Sequence, residues 1–138
     1  PTLQGYGRRN SYTMQGIMSV IKTTGALNKH CIFLAHEDAP SKDEMTGAMM
    51  VSILVGGKMQ SEIPIKLSEV WHMEDTGKDR KITIRSNRMK KPMKSRMFKQ
   101  DGDTSFTWNF SPELWKGEGI EDWYKSWVDN KGKKISLP

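Results

Sequence analysis

Cys31-Ile32-Phe33-Leu34-Ala35 is apolar at every position, follows His30 directly and stops at the polar pair His36-Glu37. A strand covered on one face alternates apolar and polar residues, whereas an uninterrupted apolar run suits a strand covered on both, as parallel sheets require. Open α/β sheets hold their ligands beyond the carboxyl ends of such strands, so His36 and Glu37 stand where chemistry is expected. The run therefore points to an α/β fold with a partly parallel sheet.

The flanking segments fit that class. Met14, Ile17, Met18, Val20, Ile21 and Leu27 recur at gaps suited to one face of a helix, predicted from about Gly7 to Thr24 with Gly25 as a left-handed stop. Asp38 to Met59 reads as a long polar loop holding Pro40, Gly47, Gly56 and Gly57, and loops of that length in compact domains tend to be functional. Ala48 to Leu54 suggests a short helical turn inside it. Its apolar residues Met49, Met50, Val51, Ile53 and Leu54 suggest a surface that docks a subunit or a nucleic-acid strand.

Further on, Ile63 to Leu67 and Glu69 to Met73 read as one or two strands. Thr76-Gly77-Lys78 supplies a turn before Arg80 to Arg85, where Ile82 and Ile84 alternate with polar residues as in a half-buried antiparallel strand. Phe106, Trp108 and Phe110 alternate likewise and give a last strand. Residues 111–138 form a Trp-rich tail, with Ser111 as a helix cap and Ile120, Trp123, Tyr124 and Trp127 on one stripe suited to a clamp over the sheet or, alternatively, to a base-stacking platform or subunit contact.

At 138 residues the chain suits one modest domain, residues 1–110 as its core and 111–138 as its tail. The formal charge of +6 is unevenly placed. Between Lys78 and Lys99 ten Lys or Arg residues face one acid, Asp79, while the chain after Lys99 holds seven acids and five bases. A positive patch of that kind favours phosphate backbones, and Lys42, Lys58, Lys90 and Lys91 are the lysines expected to meet them. The lone cysteine, Cys31, forms no internal disulfide and fits a reducing, cytoplasmic setting. No apolar stretch reaches the roughly 20 residues of a membrane span. His30 and Cys31 point to opposite sides of one strand and His72 lies far along the chain, so no zinc set is expected.

Gly57-Lys58 is followed by Met59 where a phosphate-binding loop needs Ser or Thr to hold magnesium, and no apolar strand ends in an aspartate suited to the same ion. Nothing in these residues builds a nucleotide cradle.

Taken in order, Ile32 to Glu37, Thr46-Gly47, Gly56-Gly57-Lys58, Glu69-Val70-Trp71, and Asn87-Arg88 with Pro92 and Lys94 resemble the carboxyl-terminal half of RecA and Rad51-like P-loop ATPases, nearest to the phage Sak4-type recombination proteins. The likeness spans residues 1 to 110. It implies that His36, with Glu37 beside it, senses the γ-phosphate, where most RecA proteins carry glutamine. It implies that Glu37 to Gln60 is the DNA-binding loop and that Arg88, with Arg85 and Lys94 as weaker candidates, reaches a neighbour's nucleotide. ATP and magnesium would be held by segments before Pro1, and the partners would be single-stranded DNA and further copies in a ring or filament, inside a bacterial host or phage-infected cell. Two rivals stand beside this reading: a noncatalytic DNA-binding or assembly module, and a hexameric replicative helicase.

The absence of a phosphate loop makes one prediction directly. The purified 138-residue chain should release no phosphate from ATP above a protein-free control, and turnover by this chain alone would mean that a cradle exists in it after all.

Overall fold

The computed structural model describes residues 3–47, 49–85, 93–102, 104–111, 113 and 116–138, with the backbone alone for Tyr6. Arg88, Lys90 and Lys91 lie outside the described residues, as do Ala48, Pro112, Leu114 and Trp115. The fold is mixed α/β, with two small antiparallel sheets and three helices among these residues. No helix there is long and apolar enough to cross a membrane.

Helix α1 runs from Leu3 to Ala26, longer at both ends than its apolar periodicity predicts. Gly25 lies inside the helix, and the left-handed stop is Asn28, with φ of 51°. Asn28 N–H donates to Gly25 C=O at 3.1 Å and Lys29 N–H to Thr24 C=O at 2.9 Å, which closes the last turn. Asn tolerates this conformation better than most side chains, so the stop falls on Asn28 rather than on Gly25. Met14, Ile17, Met18 and Ile21 are half-buried, and Val20 and Leu27 are exposed, so the stripe is only partly covered.

Strands β1 (Ser41–Lys42) and β2 (Met49–Met50) form one hairpin, while β3 (His72–Asp75), β4 (Arg80–Thr83) and β5 (Ser105–Trp108) form a three-stranded meander. In the meander Ile82 pairs with Met73 on one side and Phe106 on the other. The expected basic hairpin is present, turned by Gly77 at φ 84°, whose N–H donates to Asp75 Oδ1 at 2.8 Å.

Three expected elements differ. Cys31 to Ala35 joins no sheet, and Ile32 and Leu34 are 64% and 93% exposed. A run apolar on both faces needs cover on both, and the described residues offer neither cover nor a pairing edge. Ile63 to Leu67 is not a strand: helix α2 spans Met59–Lys66, with Pro64 inside it. Proline cannot donate to a ladder, and Met59 and Ile63, four apart, bury together while Ile65 turns outward. Ala48 to Leu54 is not a helical turn either, since Met49–Met50 forms β2 and Ile53 bridges to Glu37.

Helix α3 is Ile120–Asp129 and starts later than a Ser111 cap implies. Ser111 instead exchanges backbone bonds with Lys116, and Gly117 turns the chain at φ 114° where a Cβ would sit 2.3 Å from the Asn109 carbonyl oxygen. Asp122 Oδ2 then accepts the Gly119 N–H at 2.9 Å and secures the helix start. Of the expected stripe Trp123 is buried and Trp127 packs partly buried against the core, while Ile120 and Tyr124 are exposed. Trp123, 3% exposed, packs on Phe106 at 5.3 Å and on Phe98 at 5.8 Å between ring centroids, with Ile82, Ile84 and Met97 completing the core.

Phe98 belongs to no named strand, yet it is fully buried. Polar bonds hold its segment in place. Glu69 Oε1 accepts from the backbone N–H groups of Arg96 at 2.6 Å and Met97 at 3.0 Å, and Glu69 Oε2 accepts from Trp71 Nε1 at 2.8 Å. Buried Ser95 adds its Oγ as acceptor for the N–H of Phe98 at 3.0 Å, and its carbonyl accepts Lys134 Nζ at 3.1 Å. Val70 and Lys94 exchange backbone bonds on the other side.

Glu69→Ala removes the acceptor of all three donors, while Arg96 N–H can turn to water and Met97 N–H keeps Ser95 Oγ at 3.1 Å. The expected loss is therefore about 2 kcal/mol, below the sum of three bonds to a charged group. Urea unfolding checks it, and a midpoint unchanged from wild type would show that the aromatic packing alone positions Phe98.

Candidate nucleic-acid interface

The segment after His36 is a hairpin from its first residue, not a loop. Leu54 N–H donates to His36 C=O at 2.7 Å, Asp38 N–H to Ser52 C=O at 2.8 Å, and Glu37 bridges Ile53 before β1 pairs with β2. From Glu37 to Ser41 the first leg advances four residues, while from Ile53 to Met50 the second advances three. The first leg therefore carries one extra residue beside Pro40, and a bulge there suits a residue that cannot donate.

Asp43 organises the tip. Its Oδ1 accepts Met45 N–H at 3.0 Å, its Oδ2 accepts Thr46 Oγ1 at 2.8 Å and its carbonyl accepts the N–H of Gly47, which sits at φ 68°. Met45, 95% exposed, stands at the end, with Lys42 and Glu44 exposed beside it. This is a shaped projection with an apolar tip and mixed charge.

At its base His36 is exposed and uses its backbone carbonyl in the ladder, which leaves the imidazole on the surface. Glu37 Oε1 contacts His72 Nε2, the imidazole nearly buried and the carboxylate half-exposed. Gln60 Nε2 of α2 donates to Asp38 Oδ2 at 2.9 Å, and Asn10 of α1 lies against Gly56 and Gly57, the latter at φ 61°. The hairpin is thus moored at its foot to α1, α2 and β3.

Lys58 precedes α2, and its carbonyl accepts the N–H groups of Ser61 and Glu62 at 3.1 Å each. Its side chain is exposed on a cleft of about 630 Å³ between α1 and α2, floored by Met14, Met18 and Met59 and rimmed by Lys22 and Glu62. Lys42, on β1, and Lys58, at the hairpin's far foot, therefore belong to different parts of the surface.

Arg85 and Lys94, expected to reach a nucleotide, have local partners. Arg85 Nη1 donates to Gln100 C=O at 2.9 Å at the end of β4. Lys94 Nζ donates to Ile65 C=O at 3.1 Å, where it meets a carbonyl in the last turn of α2. A cation there is favourable both as a hydrogen-bond donor and against the helix dipole. Arg88, Lys90 and Lys91 fall in the stretch outside the described residues, between these two anchored neighbours.

Sequence reasoning missed His72 as a partner of Glu37, having weighed it only as a metal ligand. Strand alternation carried a signal, since it separates His72 from Met73 and sets it on the face of Thr83 and Ser105. Nothing along the chain pairs that face with Glu37, thirty-five positions earlier. Comparisons with known proteins add no second witness: the chain matches no protein-family model, no curated protein and no solved structure.

The Lys94 geometry yields a prediction. Lys94→Met keeps the aliphatic stem and removes the ammonium from the Ile65 carbonyl, so stability should fall by about 1 kcal/mol. A urea midpoint equal to wild type, or a higher one, would show that the ammonium adds nothing at this helix end.

Proposed function

We propose that this chain is the sensing and DNA-facing half of a RecA-like ATPase of the phage recombination type, acting on single-stranded DNA with ATP and magnesium held by residues it does not contain. In this reading a partly parallel sheet is completed by those same residues, which would pair with and cover Cys31 to Ala35. His36 meets the γ-phosphate and the hairpin that begins beside it meets the strand. Arg88 reaches the nucleotide of a neighbouring copy in a ring or filament, where an arginine fork offered to phosphoryl oxygens contributes about 10³-fold or more in rate.

The observation that supports this most is the contact between Glu37 and His72. It joins the foot of the hairpin to the sheet whose β4 runs on toward the densest basic stretch of the chain. Two parts that the sequence assigns to one machine, the hairpin and the meander, thus touch. The exposed His36 and the uncovered apolar run fit the same reading, since both suit a site shared with further polypeptide.

The engaged donors of Arg85 and Lys94 favour a second reading, a noncatalytic DNA-binding module in which those residues are structural. Both readings require DNA binding by the basic run. Affinity for an oligo(dT) strand should fall steeply with salt as counterions are released. The double substitution Lys90→Gln and Lys91→Gln should flatten the slope of log affinity against log salt by about 1.4, at about 0.7 per phosphate contact on a single strand. Binding that does not vary with salt, or a slope unchanged in the double variant, would reject the basic run as the contact surface.

A further inference from the structure

We propose that His72 is the positioning residue of the hairpin, holding residues 36–54 against the meander through Glu37 so that the projection is presented to its ligand already oriented. The inference rests on the DNA-facing reading of the hairpin and adds to it the device that sets its aim.

The argument starts from what holds the hairpin. Its backbone bonds join one leg to the other and fix its shape, not its direction. Apolar burial supplies only part of the direction, because Met45, Met49 and Leu54 are more than two-fifths exposed while Met50, Val51 and Ile53 are half-buried. The polar contacts at the foot remain. Gln60 of α2 and Asn10 of α1 hold the foot through Asp38 and against Gly56 and Gly57. The Glu37–His72 contact ties the hairpin to the meander.

Its two ends differ in a way that suits an anchor. The His72 side chain is 9% exposed, on the face of Thr83 and Ser105, and so is held by its surroundings, whereas Glu37 is 50% exposed and belongs to the hairpin. Glu37 also adjoins His36, so a ligand that pulls on His36 acts on the anchored residue next to it. A hairpin already immobilised loses less freedom on binding, and that preorganisation appears as affinity.

The test reads orientation and binding separately. In His72→Ala the amides of Asp38 and Leu54 should exchange with deuterium about tenfold faster, and affinity for oligo(dT) should fall roughly threefold to tenfold. Glu37→Ala, changed at the half-exposed end, should do the same without disturbing the core, which covers the case in which the His72 variant fails to fold. The exchanged pair Glu37→His with His72→Glu should restore both readouts toward wild type, a rescue that a merely space-filling His72 would not give. Unchanged exchange at Asp38 and Leu54 in Glu37→Ala overturns the proposal. Faster exchange in a protein whose wild type binds no oligo(dT) supports the anchor and overturns the DNA-facing reading instead.

Discussion

A carboxylate that gathers donors from two separate stretches of chain fixes their separation more sharply than apolar contact does, because hydrogen bonds are short and directional. Glu69 is that group here, with Trp71 Nε1 on one oxygen and the N–H groups of Arg96 and Met97 on the other. The segment from Ser95 to Lys99 is not part of the meander, and apolar attraction alone would leave its register free. Once Glu69 and Ser95 set that register, Phe98 faces inward between Trp71, Phe106 and Trp123. The aromatic core is thus the larger source of stability and the carboxylate the source of its specificity.

The carboxyl-terminal segment depends on the same arrangement. Ile135 N–H donates to Met97 C=O at 2.9 Å, Lys99 N–H donates to Ile135 C=O at 2.8 Å, and Lys134 reaches the Ser95 carbonyl. These bonds return the chain to the core after α3 ends, where Lys131 takes φ of 56° and Gly132 N–H closes on Trp127 C=O. A core built this late in the chain leaves the first half with little to bury against. That is consistent with the half-covered stripe of α1 and with the exposure of Ile32 and Leu34.

The legible parts of the fold are those whose cause is local. Alternation from Arg80 to Arg85 marked β4, although Thr83 on the face opposite Ile82 and Ile84 is buried as well, and the spacing of Trp123 and Trp127 marked α3 because one face of that helix meets the core. The α1 stripe was legible as a helix, although its last residue was not, since Asn28 competes with Gly25 for the same role. Misreadings arose where a local pattern had two solutions. Ile63-Pro64-Ile65 alternates like a strand, but burial of Met59 with Ile63 selects the helix, and that choice is made by packing rather than by period. Cys31 to Ala35 has the composition of a covered strand, and composition cannot supply the cover.

The candidate site divides along the same line. His36, Glu37 and the residues after them were legible as a place of interest because an apolar run ending in polar residues is a local signal. Lys94 was not legible as a helix cap, because the Ile65 carbonyl it meets belongs to a helix that the sequence presented as a strand. His72 was invisible as a partner because side-chain contacts between distant segments have no period. The consequence is physical as well as interpretive: the rigid half of this protein is aromatic and self-contained, while the projecting half is held by a few polar bonds at its foot. Such bonds exchange with water and ligand far more readily than buried rings do, so any ligand-driven movement in this molecule should be sought at the hairpin's foot before it is sought in the core.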